Sequence, residues 1–135
     1  MAVKNYTTSK DGIESQFATC DVGHYLLTNL LIKEIHAVGD GATIVNVASL
    51  GYLLAEANLE DPNFEVGVMT FFDGCWLPCK ANEDTDTKST QNGKTYGPWQ
   101  AYGQAKTANM LFAMALGKRL RNKGVAVFAI QPGGE

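Results

Sequence analysis

The chain has 135 residues, of which 45% are hydrophobic and 19% charged, and its formal net charge is −3. This length fits a single domain and this composition is that of an ordinary globular protein. The slightly acidic balance argues against a dedicated nucleic-acid binder, because phosphate binding requires a basic surface. The longest apolar stretch, residues 44–55, is too short and too interrupted to span a bilayer, and the polar amino terminus has no signal-peptide core. We therefore expect a cytoplasmic protein.

The apolar pattern predicts a long helix followed by a short strand in the first half of the chain. After the turn-rich residues 1–12, apolar side chains recur every three to four residues from 13 to about 36 along two faces, which indicates a helix buried on two sides. Gly39 ends this helix. The β-branched run at residues 42–48 is typical of a strand buried in a parallel sheet, and Ser49 stands at its carboxyl end.

A second helix and a second strand are predicted near the carboxyl terminus. Residues 66–91 have no convincing period, and a helix follows over about 100–122, with cations suited to a helix carboxyl end in its last turn. Gly124 ends this helix, and residues 125–130 form the second buried strand. The predicted apolar face of the second helix consists of Ala101, Ala105, Ala108, Leu111, Phe112, Ala115, Leu116 and Leu120.

The order of elements is helix, strand, long connection, helix and strand, which predicts an α/β fold. A strand, a helix and a second buried strand form the parallel crossover unit, which is right-handed by default. Ligands of open parallel sheets bind beyond the carboxyl ends of the strands. Both Ser49 and the loop that contains Pro132 and Gly133 fall at such ends.

Tyr102 and Lys106 are the first candidate functional pair. They are four residues apart on a predicted helix, so their side chains lie about 40° apart around its axis and can act on one small group. Tyr6 and Lys10 have the same spacing, but they lie in the turn-rich leader, where nothing fixes both side chains. Context therefore selects Tyr102 and Lys106, whose helix follows the strand that ends at Ser49.

These three residue types fit the interconversion of an alcohol and a carbonyl. Hydride transfer to a carbonyl requires a proton donor at its oxygen, and the reverse reaction requires a base. An ordinary tyrosine, with a pKa near 10, is a poor base, and lowering that pKa by two to three takes about 3–4 kcal/mol. An ammonium about 4 Å away supplies roughly 4 kcal/mol at an effective dielectric constant of 20. Lys106 has the right charge, and Ser49 would orient the substrate oxygen.

Four ordered motifs resemble the short-chain dehydrogenase/reductase family, especially its retinol-dehydrogenase-like and WW-domain-oxidoreductase-like branch. The motifs are GHYLLTNLL at residues 23–31, IVNVAS at 44–49, AYGQAKTAN at 101–109 and QPG at 131–133. The resemblance covers residues 1 to about 65 and about 92 to 135. It implies part of a Rossmann-type, doubly wound parallel sheet, NAD or NADP as cofactor, and a small-molecule alcohol or carbonyl substrate.

The resemblance also implies roles for individual residues. Ser49 matches the substrate-polarising serine and Tyr102 the general acid/base. Lys106 matches the residue that lowers the pKa of that tyrosine and binds the nicotinamide ribose. Tyr102, Lys106, Pro132 and Gly133 would thus contact the cofactor, with the last two in the loop beside the nicotinamide. No metal is implied.

The sequence departs from the family pattern in several places. The glycine-rich turn that receives the pyrophosphate has no counterpart, and the chain ends before the family's last strand, so we interpret the 135 residues as a fragment of one domain. Cys20 stands where the family has an active-site asparagine. The connection between Ser49 and Tyr102 is too long, with an atypical insertion at about 66–91 that is either a substrate-pocket element or a gene-model fault such as translated intron.

The cysteines and histidines indicate no metal or redox site. Cys20, Cys75 and Cys79 are an odd number in a chain without an export signal, which favours free thiols. Cys75 and Cys79 are separated by three residues rather than the two of a redox pair, and His24 and His36 are not spaced to complete a zinc site.

Two functions from different classes remain open at this stage. One is an NAD(P)-dependent oxidoreductase, inactive as an isolated fragment. The other is a cofactor-less chain, either a truncated product or an interaction module that pairs through helices 13–36 and 100–122, and such pairing would also suit a homo-oligomer. Neither the substrate nor the choice between NAD and NADP follows from these residues.

Overall fold

The computed structural model describes residues 2–65, 93 and 95–133, together with the backbone of Met69–Phe72 and Cys75–Pro78. Within these ranges the order of helices and strands matches the α/β prediction. The helices are α1 (Ser15–Phe17), α2 (Gly23–Leu30), α3 (Ile32–Val38) and α4 (Pro98–Leu120). The strands are β1 (Thr43–Val47), β2 (Met69–Phe72), β3 (Cys75–Pro78) and β4 (Ala126–Ile130).

The predicted first helix is present, but it is divided into three helices. The carboxylate of Glu14 caps α1 by accepting the backbone N–H groups of Gln16 and Phe17. A π turn, Ala18–Val22, then joins α1 to α2, and Leu31 leaves the helical conformation between α2 and α3. Wide turns of the π type inside helices often lie at functional sites. The π turn around Cys20 is therefore a candidate part of a functional site.

The two predicted parallel strands pair with each other and are joined by the predicted helix. β1 and β4 run parallel in register from Thr43 opposite Ala126 to Val47 opposite Ile130. α4 lies between them in the chain and packs against β4. A left-handed Gly124, with φ of +70°, ends the last helical turn, as glycine does without a Cβ penalty. This unit confirms the partial α/β fold.

The hydrophobic core lies along α4. Near the start of this helix Ala101 contacts Phe64, in the middle Ala105 and Ala108 contact Phe17, and near its end Leu116 and Leu120 contact Val125. α4 thus connects the amino-terminal helices to the sheet.

The prediction that both strands are buried is wrong. Val45 is 50% exposed and Phe128 is 52% exposed, and Val47 and Ile130 lie beside them on the same uncovered face of the sheet. Helices cover the other face, where Ile44 and Val127 contact the Leu116 cluster. Within the described residues a second covering layer is absent, so a sequence typical of a strand covered on both faces is covered on one.

Burial of the first helix on two sides is also wrong. Tyr25, Leu26, Leu27, Leu30 and Leu31 are each exposed by about half or more, with Leu27 at 57%. The helix contacts the remainder of the described chain mainly through Phe17, Cys20, Ile32 and Ile35. One predicted stripe therefore faces the core only at its ends, and the other is mostly exposed apart from Val22, which packs against the Phe17 cluster.

The predicted insertion lies mostly outside the described residues. Within it the backbones of β2 and β3 form an antiparallel pair, with Met69 opposite Pro78 and Phe72 opposite Cys75.

Among the helices that the structure describes, none combines the length and apolar character needed to cross a membrane.

Candidate active site

The carboxyl ends of β1 and β4 are tied together at one edge of the sheet. The backbone N–H of Ala48 donates to the carbonyl of Ile130 at 2.8 Å, which continues the ladder past the end of β1. Two residues later the N–H of Leu50 donates to the side-chain oxygen of Gln131 at 2.9 Å. Ser49 stands between these two bonds, so its backbone is held from both sides.

Ser49 begins the short 3₁₀ turn Leu50–Leu53. Its backbone is extended, and its hydroxyl oxygen accepts the N–H of Gly51 at 3.1 Å. A serine hydroxyl also carries one hydrogen that it can donate, and this cap bond does not use it. The side chain is therefore both oriented by the turn and able to donate to an external oxygen.

Tyr102 reaches the same turn from the first part of α4. A Cβ built on Gly51 would lie 2.6 Å from Cε1 of the Tyr102 ring and 3.4 Å from Oγ of Ser49. The ring of Trp99 also meets the Tyr102 ring edge to face, with centroids 6.2 Å apart. The side chains of Ser49 and Tyr102 therefore both lie next to Gly51.

Close backbone packing holds α4 against the 3₁₀ turn. A Cβ on Gly103 would come within 2.9 Å of both the carbonyl oxygen of Gly51 and the nitrogen of Ala55. One turn further along α4, the hydroxyl of Thr107 donates to the carbonyl of Ala55 at 2.7 Å. These two contacts hold α4, which carries Tyr102, against the segment that begins at Ser49.

Lys106 connects α4 to the end of β1. Its side chain is only 8% exposed, and its Nζ donates to the carbonyl of Val47 at 2.9 Å while it lies 5.8 Å from the centroid of the Tyr102 ring. An ammonium has three hydrogens, so two donors remain for other acceptors. A positive charge is therefore fixed beside Tyr102 in a mostly buried place.

Cys20 and His24 of the first helix lie near enough to Lys106 for its charge to act on both. Burial raises the pKa of the Cys20 thiol, and the positive charge of Lys106 opposes this shift. Burial and the Lys106 charge both lower the pKa of His24, which favours the neutral imidazole. Fully buried Asn109 donates from Nδ2 to the carbonyl of Cys20 at 2.9 Å and faces Nδ1 of His24 at 2.8 Å.

Pro132 and Gly133 follow β4 at the same edge of the sheet. Both are exposed, and Gly133 has φ of +103° with open space where a Cβ would stand.

The other Tyr-x-x-x-Lys pair, Tyr6 and Lys10, has a different setting. Tyr6 packs edge to face against Tyr96 with centroids 5.4 Å apart, whereas Lys10 is exposed.

Sequence reasoning did not single out Gly51, Gly103 or Asn109. Gly103 had a signal, because a glycine inside a helix costs stability and usually marks a close contact. Asn109 had one as well, since it is a polar residue within an otherwise apolar part of α4. Gly51 had none, because its importance comes from a contact between two segments that are distant in sequence.

The chain is similar to several curated dehydrogenases and oxidoreductases, although no model of a known protein family matches it. Mouse retinol dehydrogenase 12 is 30% identical over 128 residues, which cover 95% of this chain and 31% of that protein. The chloroplastic short-chain dehydrogenase TIC 32 A of Brassica napus is 34% identical over 134 residues, covering 95% of this chain and 34% of the relative. Oxidoreductase fscI of Fusarium equiseti is 29% identical over 146 aligned residues, covering 100% of this chain and 52% of the relative.

By sequence, the chain is similar to members of the short-chain dehydrogenase/reductase family over almost its whole length. The resemblance of the four motifs is thus confirmed at the level of the family. The chain spans about a third of the length of the retinol dehydrogenase and TIC 32 relatives that it matches. Those relatives are named as retinol dehydrogenases and as a short-chain dehydrogenase.

Proposed function

We propose that the protein interconverts an alcohol and a carbonyl with NAD or NADP as the hydride carrier, and that Ser49, Tyr102 and Lys106 are its catalytic residues. The observation that carries this proposal is the meeting of Ser49 and Tyr102 on Gly51, with the Lys106 ammonium 5.8 Å from the Tyr102 ring. In this proposal a proton donor, a hydrogen-bond donor and a positive charge act together at the carboxyl edge of the sheet. Ligands of open α/β sheets bind at such an edge.

Each side chain has a separate task in this proposal. Tyr102 gives its hydroxyl proton to the substrate oxygen in reduction and takes it back in oxidation. Ser49 donates a hydrogen bond to the same oxygen and so stabilises the charge that develops there. Lys106 holds its ammonium beside the Tyr102 ring, in a mostly buried position fixed by its bond to the Val47 carbonyl.

The residues at the sheet edge suit the nicotinamide end of such a cofactor. The two unused donors of Lys106 suit ribose hydroxyl oxygens, and the open space at Gly133 lets a flat ring approach the backbone after Pro132. A bound NAD(P)H supplies the hydride. The proposed binding residues are therefore Tyr102, Lys106, Pro132 and Gly133.

We expect the 135 residues alone to bind the dinucleotide weakly and to show no turnover. β1 is followed by Ala48 and the 3₁₀ turn, and β4 by Gln131 and Pro132, so neither parallel strand leads into a glycine-rich turn that could cradle a pyrophosphate. Fluorescence titration with NADH and NADPH measures this directly. Micromolar affinity in the isolated chain would contradict the expectation.

The test of the proposed function is Tyr102→Phe. Because the chain spans about a third of its relatives, turnover is assayed in the longest natural protein that carries these residues, with retinaldehyde and short aldehydes as substrates. We expect the variant to lose nearly all turnover while cofactor binding persists, since only the proton donor is removed. Tyr25→Phe, which removes an exposed hydroxyl from α2, is the matched control. Equal turnover in wild type and Tyr102→Phe would refute the acid/base role.

A second candidate function is association with another copy through the first helix. The exposed apolar residues Leu26, Leu27 and Leu30 on α2 favour it, because adjacent exposed leucines of this kind often mark a contact surface. Sedimentation of the chain tests it. Leu27→Glu would convert a dimer to a monomer, whereas a wild-type chain that is monomeric at high micromolar concentration would exclude this function.

A further inference from the structure

We propose that Asn109 is a positioning residue: its buried amide fixes His24 as the Nε2–H tautomer and fastens the π turn at Cys20 to α4 behind Lys106. The inference rests on the proposed function only in naming Lys106 as the residue that is positioned. The contacts themselves are independent of any activity.

The orientation of the Asn109 amide follows from its first partner. Nδ2 lies 2.9 Å from the carbonyl oxygen of Cys20. A backbone carbonyl can only accept hydrogen bonds, so the nitrogen of the amide, and not its oxygen, must face Cys20. The amide is therefore oriented without any assumption about His24.

The tautomer of His24 follows from the second partner. The same Nδ2 lies 2.8 Å from Nδ1 of His24, and an amide nitrogen only donates. Nδ1 must then accept, so it carries no proton and the neutral ring is protonated at Nε2. A neutral ring agrees with the direction in which burial and the Lys106 charge move the pKa of His24. The two hydrogens of Nδ2 are thus both used.

Packing alone does not explain an asparagine at this place. Asn109 is fully buried, and its Oδ1 has no hydrogen-bond partner within the described part of the chain. A buried acceptor without a partner is unfavourable, so an apolar side chain of similar volume would be the better filler. The asparagine is explained by the two bonds that its nitrogen donates.

The position of Asn109 makes these bonds relevant to Lys106. The two residues are three apart on α4 and therefore on the same side of the helix. The π turn packs against α4, and the charge of Lys106 acts on both Cys20 and His24, so the segment that Asn109 fastens lies near the ammonium. Without that fastening, we expect this segment to move and Lys106 to lose its fixed position on the Val47 carbonyl.

The first test uses ¹⁵N spectra of the histidine rings in the full 135-residue chain. Wild-type His24 is expected to show a single Nε2–H tautomer, with slowly exchanging side-chain amide protons at Asn109. Exposed His36 provides an internal reference in the same spectra. A wild-type His24 protonated at Nδ1 would overturn the proposal without reference to any variant.

Asn109→Asp keeps the size of the side chain and exchanges its donor for a carboxylate. We expect the His24 ring to become protonated at Nδ1, because the new oxygen can only accept from it. The matched control is Asn29→Asp on α2, whose side chain bonds the carbonyl of Tyr25 on the exposed surface. An unchanged tautomer in folded Asn109→Asp would overturn the proposal.

A second arm separates this inference from the proposed function. In the turnover assay, Asn109→Asp is expected to lower kcat by about 10- to 100-fold, as misplacement of a catalytic group does, with KM for the carbonyl within about two-fold. A changed tautomer with unchanged kcat would refute the positioning of Lys106. If the longest natural protein that carries these residues has no turnover in its wild-type form, the proposed function fails, and the ring spectra of the 135-residue chain still decide whether Asn109 holds His24 and Cys20.

Discussion

Gly51 lies against the Cδ1–Cε1 edge of the Tyr102 ring. A Cβ at this glycine would stand 2.6 Å from Cε1 and 2.9 Å from Cδ1 of the ring, closer than two carbon atoms can approach. The contact places the phenol beside the turn that Ser49 caps, and it depends on the missing side chain. The distance between the two proposed catalytic hydroxyls is therefore controlled by a residue that takes no part in the chemistry.

Gly51→Ala is expected to displace the Tyr102 ring and to lower turnover by about 10-fold or more, since catalysis requires the phenol at a fixed distance. The ring is a partly exposed side chain and can move, so we expect only a small loss of stability. Turnover and the NMR contacts of Tyr102 with Trp99 measure both effects. Retention of the wild-type ring contacts in the variant would show that the glycine is not needed.

Gly103 and Gly117 form a matched pair on α4. A Cβ at Gly103 meets backbone atoms of Gly51 and Ala55 at 2.9 Å, whereas one at Gly117 meets only Cβ of Val127, at an ordinary 3.6 Å. We expect Gly103→Ala to lower the free energy of unfolding by about 1–3 kcal/mol through overpacking. Gly117→Ala should raise it by about 0.5–1 kcal/mol, because alanine is the better helix former. Urea unfolding of both variants checks the opposite signs, and a shared sign contradicts the close approach.

Lys106→Met keeps most of the side-chain volume and removes the ammonium. We expect turnover to fall by about 100-fold or more, as on loss of acid–base assistance. The bond to Val47 is lost, but a mostly buried charge is no longer desolvated, so these two effects on stability oppose each other. Lys118→Met, an exposed position on the same helix, is the control. Comparable turnover in the two variants would remove Lys106 from the mechanism.

The same Lys106→Met variant has a consequence that does not depend on turnover. The Lys106 charge lowers the pKa of His24 and also lowers the pKa of Cys20, where it opposes the larger effect of burial. Removing the charge should therefore raise both pKa values. NMR titration of His24 and the pH dependence of Cys20 alkylation measure them, and a downward movement of either pKa would contradict the placement of the ammonium near both groups.

The sequence was sufficient for the elements and for the pairing of Tyr102 with Lys106 on one helix. Periods of three to four residues and β-branched runs depend on local geometry, and so does a spacing of four residues in a helix. The contact of Tyr102 with Gly51 could not be predicted in this way. It depends on how closely two backbones approach, and no periodic pattern records that distance.

Burial was the less predictable property, and α4 shows why. Ala101, Ala105 and Ala108 are buried as predicted, but Leu111 is 48% exposed and Ala115 is also exposed. Burial depends on which elements cover a face, and α4 is covered on more sides in its first half than in its second. An apolar pattern identifies residues that favour burial, while the partner that covers them lies elsewhere in sequence.

Tyr96 links the amino-terminal segment to the start of α4. Its hydroxyl accepts from the side-chain amide of Gln16 at 2.8 Å and donates to the carbonyl of Val3 at 2.7 Å. Burial, followed by the nearby negative charge of Glu14, raises the pKa of Tyr96 to about 12. The folded protein therefore keeps this phenol neutral at a pH where an unfolded chain, with a tyrosine pKa near 10, has lost the proton.

This difference predicts a loss of stability in alkali. Below pH 10 the phenol is neutral in both states and its contribution is fully present. As the pH rises from about 10 to about 12 the unfolded chain binds fewer protons than the folded one, so the free energy of unfolding falls. Tyr96→Phe should be less stable at neutral pH by about 1–2 kcal/mol because two hydrogen bonds are lost, yet its stability should decline less between pH 10 and 11.5. Urea unfolding across this range measures how the free energy of unfolding changes with pH, with Tyr25→Phe as the control. Equal slopes for wild type and Tyr96→Phe would contradict a raised pKa of Tyr96 in the folded protein.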